Sequence, residues 1–495
     1  MSTLDYDAHD GLGLAALIRD GEITASEVVE EAIGRAERAQ PTLSFLVHRM
    51  YESARRRARG PLGDGPFAGV PYVVKDLLAA VAGAPSRGGS TLYEGVVPDH
   101  DSELVARHRR AGLIPIAKTS TPEMGLTPVT EPRIHAPTET PWRRGHTAGG
   151  SSGGSAAAVG ARVVPIGHGG DGGGSIRIPA SCCGAFGLKP TRGRTPTGPD
   201  ASEGWFGFAI EHAITRSVRD SAALLDATCA PEPGRLFAAP TPERPFLEET
   251  RRAPGRLRVA FTTRPHLPGE THPDCRAAVE DAARLCESLG HDVEEASPLV
   301  DGHAFARAFV VHVASAVAAE TVWCEELIGR RARREDLDTE TALIAMLGRT
   351  LSAVDLTLAR RRLFAEARTV ARLYERYDVL LTPTLSRPPA RHGELSPKGV
   401  EKVAHELIAA AELQSVLKLP GLVDAMASRV FEYVSFTPIA NVTGQPSMSV
   451  PLFWNHDDLP IGVMFTGRFG EEGLLFRLAA QLEAARPWAG RRPAG

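Results

Sequence analysis

No two of the six cysteines (Cys182, Cys183, Cys229, Cys275, Cys286, Cys324) stand at CxxC or zinc-ligand spacing, which removes the common thiol-based metal and redox motifs. Six in 495 residues, two of them adjacent, read as reduced thiols in a cytoplasmic protein rather than as a disulfide framework. Positive charge is not in excess. The 56 Lys and Arg face 60 Asp and Glu, a net charge of −4, so nothing electrostatic points to nucleic acid or an anionic membrane as partner. The opening MSTLDYDAHD is acidic, where a secretory signal starts basic and turns apolar. The longest run of small apolar residues, Ser155 to Gly167, is interrupted by Arg162 and closed by Pro165; it is too short and broken to span a bilayer. No repeat recurs at solenoid periods.

What is present is an ordinary globular composition, 43% apolar and 23% charged, with ample material for a large core. Thr24-Ala25-Ser26-Glu27 fits a capping box opening a helix that Pro41 should stop. The basic run Arg55 to Arg59 reads as a solvated helix face. Phe67 to Asp76 reads as a buried strand ending at Lys75. A strand–helix rhythm follows: a helix over Ser102 to Ala111 capped by Asp101, a strand over Leu113 to Thr119, and later a strand–helix–strand passage from Leu257 to Glu295. Between about 304 and 427 the pattern is mainly helical, interrupted by the strand at Asp378 to Thr384. The tail returns to α/β texture. These patterns predict an α/β fold, a single domain over 1–495 with a wide mixed central sheet covered by helices on both faces. Residues 1–60 form its N-terminal helical region, and 304–427 a helical insertion or cap.

Two segments concentrate glycine and serine: Gly149-Gly150-Ser151-Ser152-Gly153-Gly154-Ser155, and Gly169-Gly170-Asp171-Gly172-Gly173-Gly174-Ser175-Ile176-Arg177. Flexible linkers sit in polar surroundings, whereas these runs are flanked by structure-forming apolar sequence. A phosphate-binding P-loop needs GK[ST], which neither run has. Glycines let backbone N–H groups converge without side chains in the way. Convergent donors can hold an oxyanion, and a serine ending the run places its hydroxyl beside them. That hydroxyl needs a base. His168 precedes the second run without an obvious orienting carboxylate, so the base is expected elsewhere.

The segments GGSSGGSAAAVGA, DGGGSIRIPA and CGAFGLKPTRGR together closely resemble the amidase signature family. KTSTPEMG, DVLLTPT and NVTGQPSMSVP extend the likeness over nearly the whole chain, most weakly from about 234 to 370. The resemblance implies a Ser–cis-Ser–Lys triad of Ser175 as nucleophile, Ser151 as bridge and Lys75 as base, acting through an acyl-enzyme on a carboxylic amide. It implies backbone donors at Gly172, Gly173, Gly174 and Ser175 for the oxyanion, with Asp171 and Arg177 bracing the loop as a pair of opposite charges. Ser152 and Ser155 are expected to be structural. Lysine can act as a base near neutral pH only if burial lowers its pKa. Lys75 is therefore expected to be buried without a carboxylate salt bridge, Asp76 pointing to the opposite face of the strand. One departure stands out: Gly170 occupies a position where the family commonly carries Ser or Thr. Neither a metal nor an organic cofactor is implied. FAGVPY, EELIGR and QLEAARPWAGRRP give a texture similar to bacterial members acting on cyclic oligoamides. The expected partner is a small-molecule amide, a linear or cyclic oligoamide among the candidates, with Trp205, Phe206 and Phe208 either lining an apolar acyl site or packing the core. An amide-forming acyltransferase and a carbamate hydrolase could use the same triad. Relatives are often homodimers, and the resemblance carries a homodimer to this chain as an expectation.

Overall fold

The computed structural model describes residues 5–411, 413, 416 and 421–493. Within them eleven strands form one sheet: β1 (Leu46–Arg49), β2 (Pro71–Lys75), β3 (Ile114–Thr119), β4 (Ile166–Asp171), β5 (Phe186–Lys189), β6 (Ile210–Thr215), β7 (Arg258–Phe261), β8 (Asp292–Glu295), β9 (Val379–Pro383), β10 (Ser447–Trp454) and β11 (Pro460–Gly467). Their order is β1-β3-β2-β4-β6-β5-β10-β11-β9-β7-β8. The β3-β2-β4 and β9-β7-β8 neighbours run parallel and the remaining pairs antiparallel. Helices flank this mixed sheet in a single α/β domain. Its central strands β2 to β5, β9 and β11 are buried along their whole length, as expected of strands covered on both faces.

The capping box forms as expected: Glu27 N–H donates to Thr24 Oγ1 while Thr24 N–H donates to Glu27 Oε2. Val28, Val29, Ala32, Ile33 and Ala36 of this helix are buried at helical spacing. The helix nevertheless runs through Pro41 to Leu43. So near the end, proline removes only one intrahelical bond, and the stop comes instead at Ser44, whose φ of 51° turns the chain left-handed. The first sixty residues are also not wholly helical, since β1 adds an edge strand paired with β3. Ser102, rather than Asp101, caps the helix Glu103–Arg110; the Asp101 carboxylate is occupied by Ala82 N–H and Arg109.

The helical stretch consists of Gly302–Ile328, Thr339–Thr350, Ala353–Ala371, Leu373–Arg376, Gly399–Ala410 and Leu422–Tyr433, with β9 between. The parts of the expected segment at 412, 414–415 and 417–420 lie outside the described residues, as do 1–4 and 494–495 of the expected domain. Among the described residues, Gly302–Ile328 is one helix that by length and composition alone could cross a membrane. Here it packs against the helices Thr339–Thr350, Ala353–Ala371 and Leu422–Tyr433, burying Phe305, Ala306, Ala314 and Val317 among others.

Candidate active site

The site forms where β2 and β4 end. Strand alternation sends Lys75 and Asp76 to opposite faces. Asp76 pairs with Lys118 of β3 at 3.0 Å, so the adjacent carboxylate is engaged away from Lys75. Lys75, only 1% exposed, lies with Nζ 2.7 Å from Ser151 Oγ and 3.5 Å from the Gly170 carbonyl. Among the described residues no carboxylate oxygen comes within 4 Å of this nitrogen. Burial brings the lysine pKa down to about 7, against the opposing pull of Glu211 and Asp171.

Ser151 is set by close packing around its loop. The Gly150–Ser151 peptide is cis. Gly149 has φ 77°, and a Cβ there would lie 2.8 Å from Pro179 Cα, so only glycine fits without displacement. Ser152 N–H donates to the Ser175 carbonyl at 3.2 Å, tying the two serine-bearing loops together. Ser152 Oγ donates to the Gly170 carbonyl, and Ser155 Oγ lies 2.8 Å from Thr119 Oγ1; both hydroxyls are absorbed by the scaffold. Lys75, Ser151 and Ser175 line one cavity. Among the described residues, no hydrogen bond joins Ser151 Oγ to Ser175 Oγ.

Asp171 and Arg177 are the buried hub of the second loop, each side chain 0% exposed and joined by two hydrogen bonds of 2.9 and 3.0 Å. Asp171 also accepts from Gly174 N–H at 2.7 Å and Ile176 N–H at 3.1 Å. Asn441 spans the pair, donating to Asp171 Oδ1 and accepting from Arg177 Nη2. Arg177 Nη1 reaches the Thr437 carbonyl. Burial raises the Asp171 pKa, but Arg177 and Asn441 outweigh it and hold the carboxyl well below its usual range. This network corrects one expectation. Gly174 N–H is spent on Asp171 and cannot serve an oxyanion, and Gly174 is absent from the cavity wall, whereas Gly172, Gly173 and Ser175 line it.

His168 does have a carboxylate partner, which sequence reasoning missed. Glu211 Oε1 lies 3.0 Å from His168 Nε2, brought there by the antiparallel β4/β6 pairing that sets Gly170 opposite Glu211. Both side chains are at least nine-tenths buried. At Gly170, an added Cβ would contact Leu78 Cδ1 at 3.2 Å and Glu211 Cγ at 3.6 Å, so the position without a hydroxyl abuts this carboxylate. Thr437 and Asn441 are two further loop-bracing residues that sequence reasoning missed, although Asn441 opens the NVTGQP segment.

The cavity is about 680 Å³, within the usual range for small-molecule sites. The three aromatic candidates divide. Trp205 and Phe206 line it, both at positive φ (49° and 58°). Phe208 is 1% exposed and packs against His312, Phe364 and Phe309. No group of His, Cys, Asp and Glu able to hold a metal ion occurs among the described residues.

The Amidase family model matches residues 27–476. The 6-aminohexanoate-cyclic-dimer hydrolase of Paenarthrobacter ureafaciens is 38% identical over 98% of this chain and 96% of its own length. The putative amidase AmiC of Mycobacterium tuberculosis (strain ATCC 25618 / H37Rv) is 37% identical over 97% and 95%. A solved structure of 6-aminohexanoate cyclic dimer hydrolase superposes with a TM-score of 0.90, at 36% identity over 99% of both chains. With a family match of this length and likeness of sequence and fold from end to end, the chain belongs to the amidase signature family and is an amidase, a hydrolase of carbon–nitrogen bonds in amides.

Proposed function

We propose that Ser175 is the nucleophile, Ser151 the proton bridge and Lys75 the base, and that the substrate is a small linear or cyclic oligoamide. The observation that carries this reading is the buried Lys75 Nζ within 2.7 Å of Ser151 Oγ. A lysine with a pKa near 7 is substantially an uncharged amine at neutral pH. Lys75 takes the Ser151 proton as Ser151 takes that of Ser175, and Ser175 Oγ adds to the amide carbonyl. N–H groups of Gly172, Gly173 and Ser175 hold the oxyanion. Collapse breaks the C–N bond, and the proton returns through Ser151 to the departing amine. Water then repeats the sequence on the ester, releasing the acid and restoring Ser175. Asp171 and Arg177 position the loop without touching the reacting atoms.

The oligoamide reading draws on the apolar walls supplied by Trp205, Phe309, Val313 and Val317 and on the substrate named for the cyclic-dimer hydrolases. The six free cysteines fit a cytoplasmic location. The test is hydrolysis of a panel of linear, cyclic and aryl amides by wild type and Ser175→Ala. The variant is expected to lose at least about 10³-fold in kcat and to yield no acyl-protein on rapid quench and mass spectrometry. Retention of most activity would refute the assignment.

A further inference from the structure

Among the described residues of the cavity wall, only two are lysine or arginine. Lys75 is committed to Ser151; the other is Arg360 of the helix Ala353–Ala371. Its guanidinium carbon lies 4.1 Å from the centroid of the Phe206 ring, and Nε donates to His312 Nδ1 at 3.4 Å. The other histidine nitrogen settles the tautomer. His312 Nε2 is 3.0 Å from the Trp205 carbonyl, which can only accept, so Nε2 carries the hydrogen and Nδ1 is a bare acceptor. Burial brings the His312 pKa down to about 4, leaving the ring neutral at working pH. The guanidinium is thus fixed at one edge and one face.

Its Nη1 and Nη2 groups have no hydrogen-bond partner among the described residues, and no carboxylate lies within 4 Å. The acidic side chains in the same wall are engaged: Glu203 accepts from Gly207 N–H at 3.0 Å, Glu320 from Tyr93 Oη–H at 2.7 Å, and Asp171 from Arg177. Arginine stays charged at any working pH. A stacked guanidinium with its Nη pair free presents the fork that matches a carboxylate. One arginine, with no second free cation beside it, suits a singly charged carboxylate better than a phosphate.

We propose that Arg360 forms a carboxylate subsite, so that the preferred substrates are amides that also carry a free carboxylate remote from the scissile bond, as the open end of a linear oligoamide does. This rests on Ser175 reacting in the same cavity. Bracing the left-handed Trp205–Phe206 turn would account for the ring contact and the Nε bond, but not for an unpaired Nη fork.

The test compares two chain-length series, ω-carboxyalkanamides and N-acyl-ω-amino acids, each beside its uncharged, carboxamide-ended counterpart. Wild type is expected to favour the carboxylate member at one length by about tenfold or more in kcat/KM, mostly through KM, the size of a charge-assisted hydrogen bond. Arg360→Met is expected to bring that ratio to about one, and Arg360→Lys to keep part of it. Absence of preference at every length, or a loss in Arg360→Met that leaves the ratio unchanged, would overturn the proposal; the second outcome is what a brace would give. Calorimetric binding of the same pairs to Ser175→Ala reads the preference without turnover. A preference there with no hydrolysis in wild type would refute the catalytic reading alone.

Discussion

The sharpest test of the proposed chemistry is the pH dependence of Lys75. An ordinary lysine, at 10.5, is uncharged in roughly three molecules in ten thousand at pH 7. With its pKa brought to about 7 by burial, Lys75 is uncharged in about half, a gain of roughly 10³ in available base. For a neutral amide, kcat/KM should rise tenfold per pH unit below about 7 and level off above it. Lys75→Ala should lose the plateau by about 10²–10⁴-fold. A profile still climbing at pH 9, or flat from pH 5 to 8, would refute the neutral-lysine argument. The same shift has a cost in stability. Its folded pKa lies below the unfolded value, so between about 7 and 10.5 the unfolded chain holds a proton that the native one lacks, and stability must rise with pH across that window. The native state forfeits about 4 kcal/mol at pH 7 on this account. Lys75→Met should therefore be inactive yet more stable than wild type in urea at pH 7, with the difference shrinking towards pH 10.

Two further expectations concern the surroundings of that lysine. Glu211 raises the Lys75 pKa, so Glu211→Gln should move the acid limb of the kcat/KM profile to lower pH; an unmoved limb would show that Glu211 does not act on the base. Gly174, at φ 130°, would place a Cβ 2.4 Å from Thr437 Oγ1, whereas at Gly173 the nearest atom is Phe309 Cζ at 3.8 Å. Gly174→Ala should lose about 1–3 kcal/mol in chemical denaturation and Gly173→Ala much less, and equal losses would contradict the packing of the loop around Asp171.

Local signals carry well into the structure where one stretch of chain decides the outcome. The Thr24–Glu27 capping box, the strand ending at Lys75 and the alternation that separates Lys75 from Asp76 are all of this kind. The failures have physical causes of two sorts. Proline disrupts a helix interior, which makes Pro41 look like a stop, but two residues from the helix end it sacrifices a single bond. The His168–Glu211 contact joins residues far apart in sequence, placed together by the antiparallel register that sets His168 opposite Ala213 and Gly170 opposite Glu211; no local pattern announces such a diagonal pair. The fate of Gly174 N–H depends on one backbone turn towards Asp171, which a run of glycines leaves open.

The same division separates reaction from substrate. Lys75, Ser151 and the 171–177 loop come from strand ends and glycine turns whose residue types are dictated by close packing, so their motifs are dense and legible. The walls that meet the substrate come from elsewhere: the Trp205–Phe206 turn and the helices Gly302–Ile328, Ala353–Ala371 and Leu422–Tyr433, largely within the stretch where the family resemblance is weakest. There a side chain needs only to be apolar and of suitable size, and helical periodicity cannot tell a residue facing the cavity from one facing the core. A charged residue in that wall is different, because a fixed charge with a defined donor geometry discriminates between ligands where apolar contact does not. Arg360 is therefore the position at which this wall becomes chemically specific, and its substitution should change which amide is cut while the pH dependence set by Lys75 stays in place.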